Sequence, residues 1–416
     1  MTEKKITVFI YLPGEVVAVP VGIFTHNGDL NVGRFAYGRK YIDRPKAISV
    51  DPVALPIAIP SREVTTNKGL YGAFRDAAPD YWGRLVIAAE RRVPPEAFSE
   101  TDFLLEANAT RVGNLDFRLS LEDPEPRLEP PHFNQMEEIL EAGAQIEAGA
   151  GGKVRPHLLR LLRQGSSLGG ARPKCTVVWQ DALWVAKFPA KNDTMNIPRI
   201  EYATMELAKK CGIRLPELQL KSVGGKDILL VRRFDREKGQ AGWTRKGFLS
   251  SLSLMQWDEF DRLSWDYVAI ADNMRRYVAA GDIQELFRRM VYNIMVRNTD
   301  DHPRNHGFLV DGEKIELSPA YDIVPTFTQA GVGTDFDLAM SVGKSGREAS
   351  LENALSRVAR FGLSNKEANS IVAQIAERVR HWRDHFEDVG LTANELHALK
   401  PSFARCAAYF SKGRKL

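Results

Sequence analysis

The period of apolar and polar positions changes along the chain. Between residues 5 and 40 short apolar runs, KITVFIYL, VVAVPVGIFTH and LNVGRFAYG, are separated by LPGE and NGD, whose Pro, Gly, Asn and Asp supply turn chemistry. Strands joined by tight turns are predicted there. Over residues 80–108 the period lengthens to that of helices, in YWGRLVIAAERR and DFLLEANA. The stretch LEDPEPRLEPPH (121–132) is rich in Pro and Glu, which predicts an extended linker and a domain boundary. QMEEILEAGAQIEAG then predicts a short helix. From about residue 166 strands return in KCTVVWQ and ALWVAKFP and, after a helix, in ELQLKSV and DILLVRRF. Beyond Asp261 the pattern is helical, except for acidic loops at 298–326. SIVAQIAERVRHWRDHF, for example, predicts one helix with Ile371, Ile375, Val379 and Trp382 on a single stripe.

The order predicts an α+β protein with a β-rich subdomain (1–121), a Pro-rich linker (122–135), a smaller β-rich lobe (136–235) and an α-helical lobe (236–416). A chain of 416 residues is too long for one ordinary core, and 44% apolar with 26% charged residues excludes a mainly disordered chain. A net charge of +4 permits a nucleic-acid neighbour without requiring one. Cys175, Cys211 and Cys406 form no CxxC pair, which argues against a zinc ribbon or disulfide framework and for a reducing cytoplasm. MTEKKITVFIYL is interrupted by Pro13 and Gly14 and reads as a strand and turn, not a signal peptide; no segment reaches the ~20 apolar residues of a membrane span.

The candidate chemistry follows the helix ELFRRMVYNIMVRN, where Leu286, Met290 and Ile294 share one face. Next comes NTDDHPRN. In it, Asp300-x-x-x-x-Asn305 has the spacing of a kinase's catalytic aspartate and metal-binding asparagine, and Asp322 follows a hairpin pattern, GFLVDG and KIEL. Asn305 and Asp322 offer the hard oxygens magnesium prefers, Asp300 an acceptor for a hydroxyl proton, and Asp301 reads as a solvated neighbour. Lys187 in ALWVAKFP is a strand lysine that could meet phosphates, or one that only reaches water. Glu201 shares the stripe of Met205 and Ala208 and is its candidate partner; a first-turn glutamate favouring the helix dipole is the alternative. GSSLGGARPK (165–174) could cradle phosphate or be a plain turn, and VRRFDR (231–236) could be a nucleotide hinge or a strand end with solvated arginines. His302 and His306 as metal ligands of a hydrolase fit less well, because Pro303 between them disfavours a helix, and HWRDH reads as a polar helix face.

Taken in order, these segments resemble the HipA family of toxin kinases. SLGGARPK resembles its Ser-x-x-Gly-x-x-x-Lys loop, AKFP its strand lysine, VRRFDR its hinge, TDDHPRN its catalytic loop and LSPAYDIVPT its magnesium segment. GLYGAFRDAAPDYWGRL and VGNLDFR fit its N-terminal module. The resemblance implies a protein-kinase-like two-lobed fold with an N-terminal β-rich subdomain and an all-α C-terminal lobe. It also implies ATP- and Mg-dependent serine/threonine phosphorylation, with an aminoacyl-tRNA synthetase as substrate. A HipB-like, DNA-binding antitoxin dimer through which operator DNA is met is implied too. Carried over, Asp300 is catalytic, Asn305 and Asp322 hold the metal, and Ser167 is autophosphorylated. Lys187, Lys174, Ser167, Gly170, Arg232, Phe234 and His302 surround the nucleotide. Departures are Arg172 where a glutamine is common, the second hydroxyl of Ser166, and the divergent GFLSSLSLMQWDEF. A small-molecule phosphotransferase and an inactive antitoxin-binding scaffold are the competing functions.

Overall fold

The N-terminal alternation becomes a five-stranded sheet. In the computed structural model of the chain, which describes residues 3–57, 61–166, 170–327 and 335–411, β1 (Glu3–Ile10), β2 (Val19–Asn27), β3 (Val32–Tyr37), β4 (Ser61–Val64) and β5 (Leu115–Arg118) lie in the order β4-β3-β2-β1-β5. In β3 every second residue is buried, so Phe35 and Tyr37 face inward. The helix Gly72–Ala77 presents Phe74, which meets Phe24, Phe35, Tyr71 and Phe117 edge-on at 5.0–5.7 Å. Such pairs contribute about 0.5–1.5 kcal/mol each beyond the area they bury.

Contacts divide the chain into two units that interleave in sequence. One holds Met1–Asp193, Lys221–Phe260 and Phe308–Glu313; the other holds Thr194–Leu220, Asp261–Gly307 and Lys314–Leu416. Mixed helices and antiparallel sheets bear out the α+β expectation. In the first unit, β6 (Lys174–Trp179) and β7 (Ala182–Lys187) form an antiparallel ladder, and β7 pairs in turn with the strand Lys226–Arg232. Cys175, Val177, Trp184 and Ile228 on these strands pack with Trp82, Ile139, Leu158 and Leu162 from three helices, Tyr81–Arg91, Met136–Glu147 and Pro156–Gly165. The cysteines are free and buried, and burial pushes the Cys175 thiol well up, so it behaves as a small apolar side chain.

After the strand Lys226–Arg232 the chain folds inward. Arg232 is exposed, but Arg233, Asp235 and Arg236 are buried, which corrects the picture of solvated arginines for two of the three. Asp235 accepts from Arg233 Nε (2.9 Å) and Nη2 (2.7 Å), from Arg236 Nη1 (2.8 Å) and from the Gly113 N–H (3.0 Å). The two guanidinium groups also donate to the carbonyls of Thr110 (2.6 Å), Arg111 (3.1 and 2.6 Å) and Gly113 (2.8 Å). The motif therefore clamps the loop that leads into β5.

The second unit is mainly helical. Ala280–Val296 is its central helix, with Leu286, Met290 and Ile294 fully buried as the spacing predicts. The helix predicted through residues 370–386 divides instead, into Asn365–Val379 and Trp382–Asp388. The break lets Trp382 stack on Phe403 (4.1 Å between centroids, 4° between planes), and His385 Nε2 lies 2.9 Å from the Ala203 carbonyl. In HWRDH, His381, Arg383 and Asp384 are exposed and form the polar face, while Trp382 is buried and His385 half-buried.

Burial alone would push the Asp235 carboxyl up; Arg233, Arg236 and the Gly113 N–H outweigh it and hold the group well below the usual carboxylate range. Its contribution to stability is therefore complete above the unfolded-state value of about 3.9 and is lost as the pH falls below it. Asp235→Asn leaves two buried guanidinium groups short of a counter-charge. We expect it to lower the unfolding free energy by about 3–5 kcal/mol in urea titrations at pH 7, with a smaller difference from wild type at pH 3.

Candidate functional site

The helix Ala280–Val296 has no exposed residue from Arg289 to Val296, so no part of its last two turns can meet water. It stops because Arg297 adopts a left-handed conformation (φ 54°, ψ 47°). Asn298 then returns to the helix: its N–H donates to the Asn293 carbonyl (2.9 Å) and its amide to Asn293 Oδ1 (3.2 Å). These bonds satisfy polar groups that a buried helix end would otherwise strand.

The loop that follows is closed on itself. The His302 N–H donates to the Asp300 carbonyl (2.8 Å), and the Asn305 N–H to the His302 carbonyl (2.9 Å). Asn305 Nδ2 also donates to the Asp300 carbonyl (3.1 Å), which orients the amide within the loop. Pro303 opens a 3-10 turn over Pro303–Asn305, a first position where its missing N–H costs nothing. In this geometry Asp300 is exposed and Asp301 is buried. Asp301 Oδ1 lies 3.0 Å from His306 Nε2, which approaches the Tyr267 hydroxyl at 3.4 Å; Asn293 Nδ2 reaches that hydroxyl at 3.3 Å. The expectation of a solvated Asp301 is therefore corrected. Consecutive residues in an extended turn point opposite ways, and the second of these two faces the core.

The segment containing Asp322 is strapped to this loop at both ends. Thr326 donates its N–H to the Arg297 carbonyl (2.8 Å) and shares a hydroxyl contact with Thr299 (2.6 Å), while the Tyr321 hydroxyl donates to the Arg304 carbonyl (2.7 Å). Upstream, Arg289 Nη2 reaches the Ser318 carbonyl (2.7 Å). Asp322 sits at φ 60°, a region uncommon for a non-glycine residue but one in which Asp is enriched. The structure thus brings Asp300, Asn305 and Asp322 into one cross-linked framework, with His302 beside Asp300. His302 and Asp300 line a pocket of about 70 Å³ with Arg262, Trp265, Ala339 and Arg347. Glu201 is buried as the fifth residue of the helix Ile197–Lys210, past its first turn, in the stripe with Met205 and Ala208. Among the described residues no group of three or more His, Cys, Asp or Glu could hold a metal, which disposes of the histidine-ligand alternative there. A magnesium ion still suits what is present: an oriented amide oxygen at Asn305 and a carboxylate at Asp322, both hard donors.

The first unit holds the basic residues. Lys174 and Lys187 are direct cross-strand partners on β6 and β7. Gly170 sits at φ 109°, a backbone conformation that L side chains rarely adopt, so glycine is favoured there. Ser167 lies outside the described residues. Ser166 is buried and donates its hydroxyl to the Leu162 carbonyl (2.7 Å). Arg172 pairs with Asp193. Phe234 is half-buried.

One contact was missed in the sequence. Asp80 accepts from the Gly170 N–H (2.9 Å) and from Arg75 (2.8 Å), and Arg75 also holds Glu259 (2.9 Å); Trp82 Nε1 donates to the Lys174 carbonyl (2.8 Å). The loop before β6 is thus held by residues some ninety positions earlier, which no local pattern could announce.

Residues 166–383, just over half the chain, match the family model of the HipA-like C-terminal domain. The chain belongs to this family. Its fold is also that of the toxin HipA of Shewanella oneidensis, determined with HipB and its operator DNA. The superposition has a TM-score of 0.66 at 15% identity and covers 97% of both chains. Y4mE of Sinorhizobium fredii, a protein named as an inferred kinase, is 24% identical over 353 residues, 78% of this chain and 79% of its own. A similarly named protein of Haemophilus influenzae is 25% identical over 185 residues, 39% of this chain and 53% of its own. No described helix of this HipA-family chain is long and apolar enough to cross a membrane.

The two neighbouring aspartates should separate cleanly in stability measurements. Asp301→Ala leaves His306 buried without its carboxylate and should cost about 2–3 kcal/mol in urea unfolding. Asp300→Ala, on an exposed side chain, should stay within about 0.5 kcal/mol of wild type.

Proposed function

We propose that this protein is an ATP- and Mg-dependent serine/threonine protein kinase that acts as the toxin of a toxin–antitoxin pair. The observation that carries the reading is the framework just described: an exposed Asp300 carboxylate beside an oriented Asn305 amide, strapped to a segment that presents Asp322. Asp300 accepts the proton of an incoming hydroxyl as its oxygen bonds to the γ-phosphorus and the bond to ADP breaks. Asn305 and Asp322 hold magnesium, which when bound neutralises charge on the phosphates. Lys174 and Lys187 meet the phosphates, Gly170, whose N–H is bonded to Asp80, lets the chain approach them without a side chain, and Arg232 and Phe234 offer backbone groups to the adenine. His302 sits beside the reacting hydroxyl or the nucleotide.

Ser167 is the autophosphorylated serine in this reading, in preference to Ser166, whose hydroxyl is buried and already bonded. A phosphate at Ser167 adds about −1.5 to −2 charge to the sequence segment that precedes Lys174. The superposition on a HipA determined with HipB and operator DNA supports a HipB-like, DNA-binding antitoxin as partner. We further propose an aminoacyl-tRNA synthetase as the substrate and the cytoplasm as the place of action.

Mass spectrometry after incubation with Mg·ATP tests the proposal. Wild type should gain magnesium-dependent phosphate on Ser167, Asp322→Ala should gain none, and Asp300→Asn should be slower by about 10²–10⁴. Undiminished phosphotransfer in Asp300→Asn would remove the general base from the mechanism. ATP consumption with no protein labelled would favour a small-molecule acceptor.

A further inference from the structure

The pocket at Asp300 is asymmetric. Asp300 and His302 line it, but neither Asn305 nor Asp322 does; its other walls are Arg262, Trp265, Ala339 and Arg347. A cavity that reaches the general base and not the metal ligands lies on the side from which the hydroxyl arrives. This step rests on the kinase reading above.

Two guanidinium groups border that side. The Arg347 guanidinium donates to the Arg262 carbonyl, and the Arg262 guanidinium lies 5.7 Å from the Trp265 ring centroid. Among the described residues neither arginine pairs with a carboxylate. Of the acidic residues close to Arg262 in sequence, Asp266 caps the helix Tyr267–Met274 through the N–H groups of Val268 (2.6 Å) and Ala269 (2.9 Å), and Asp261 takes the Ser264 hydroxyl (2.5 Å); the carboxylate that shares the pocket with the two arginines is Asp300. Trp265 is 7% exposed, and no described residue accepts from its indole N–H or partners His302 Nδ1. The walls are fixed by backbone bonds, Ser341 N–H to the Trp265 carbonyl (2.9 Å), Tyr267 N–H to the Ser341 carbonyl (3.0 Å) and Leu338 N–H to the Arg347 carbonyl (3.0 Å). Beside Arg262, Leu263 is 90% exposed.

We infer that Arg262 and Arg347 select the acceptor, and that it is a polypeptide segment carrying an acidic residue next to the serine or threonine to be phosphorylated. The two guanidinium groups lining the pocket can donate charge-assisted hydrogen bonds to a carboxylate, which a neutral or basic neighbour would not attract in this way. Leu263 gives the same segment an apolar contact, which suits a polypeptide better than a small metabolite. Arg347 is itself held by its bond to the Arg262 carbonyl, so less of its own side-chain freedom is lost on binding.

The test is a positional-scanning library of serine peptides, phosphorylated by the full-length protein with Mg·ATP. Wild type should favour Asp or Glu at one position flanking the serine. Arg262→Gln should abolish that preference and raise the KM for the best acidic peptide about tenfold, with the KM for ATP moving less than about twofold. Arg262 is exposed, so the variant should keep the wild-type Tm; Arg347→Gln provides the second variant. Peptide labelling with no acidic preference would overturn the inference and leave the kinase reading intact. So would a raised KM for ATP with the peptide preference unchanged, because the arginines would then serve nucleotide phosphates. Inhibition of labelling by duplex DNA that is lost in Arg262→Gln, without any acidic preference, would assign them to nucleic acid. No labelling in any pool and no ATP turnover would overturn both readings.

Discussion

The helical unit depends on the burial of one helix around its whole circumference. From Arg289 to Val296 the helix Ala280–Val296 exposes nothing, so it can neither turn nor slide without opening voids. Removing a large side chain from such a site costs about 2–5 kcal/mol, and displacing the whole helix would open several voids at once. Its C-terminal end is therefore a fixed point. The polar residues within it work as connectors: Arg289 reaches Ser318, and Asn293 reaches Asn298 and Tyr267. Each bond joins a loop to something that cannot move, and so a loop without regular structure acquires the definition of the core beneath it.

The first unit uses the same device with charge in place of apolar packing. Burying Arg233, Asp235 and Arg236 carries a desolvation cost of several kcal/mol per ion, so the cluster is not there for net stability alone. What it secures is position. Two guanidinium groups with their fixed forks reach three backbone carbonyls of one loop, and a single carboxylate bonds to both of them. Arg75, Asp80 and Gly170 repeat the arrangement on a smaller scale, ending on a backbone N–H instead of a carbonyl.

Periodicity made much of this legible. The β-rich start, the strands bearing Lys174 and Lys187, the stripe of Leu286, Met290 and Ile294, and the burial of Glu201 all follow from spacing, because spacing decides which side chains share a face. The D-x-x-x-x-N loop was visible for the same reason. What stayed hidden depends on residues far apart in sequence. Asp301 looks as polar as Asp300, and only Tyr267 and His306 make a place for it inside; Arg233 and Arg236 look solvated until the carbonyls of residues 110–113 arrive; Asp80 has no visible relation to Gly170. The division between Val379 and Trp382 is tertiary as well, since Phe403 draws the tryptophan out of the helical line.

Asp322 shows how these constraints bear on chemistry. A left-handed aspartate is about 1–2 kcal/mol less favourable than an ordinary helical or extended one, and in a free loop it would relax. Here Tyr321 on one side and Thr326 on the other are bonded to the Asp300 loop, and Ile323 between them is 4% exposed, so relaxation would break those bonds or expose an apolar side chain. The strain is thus met when the chain folds, and little reorganisation of the backbone would be left for a ligand bound at Asp322. The same argument reaches Asn305, whose amide is already oriented by the Asp300 carbonyl. A site whose donors are fixed before the ligand enters devotes more of its binding free energy to the reacting groups, and the buried helix beneath the loop is what fixes them.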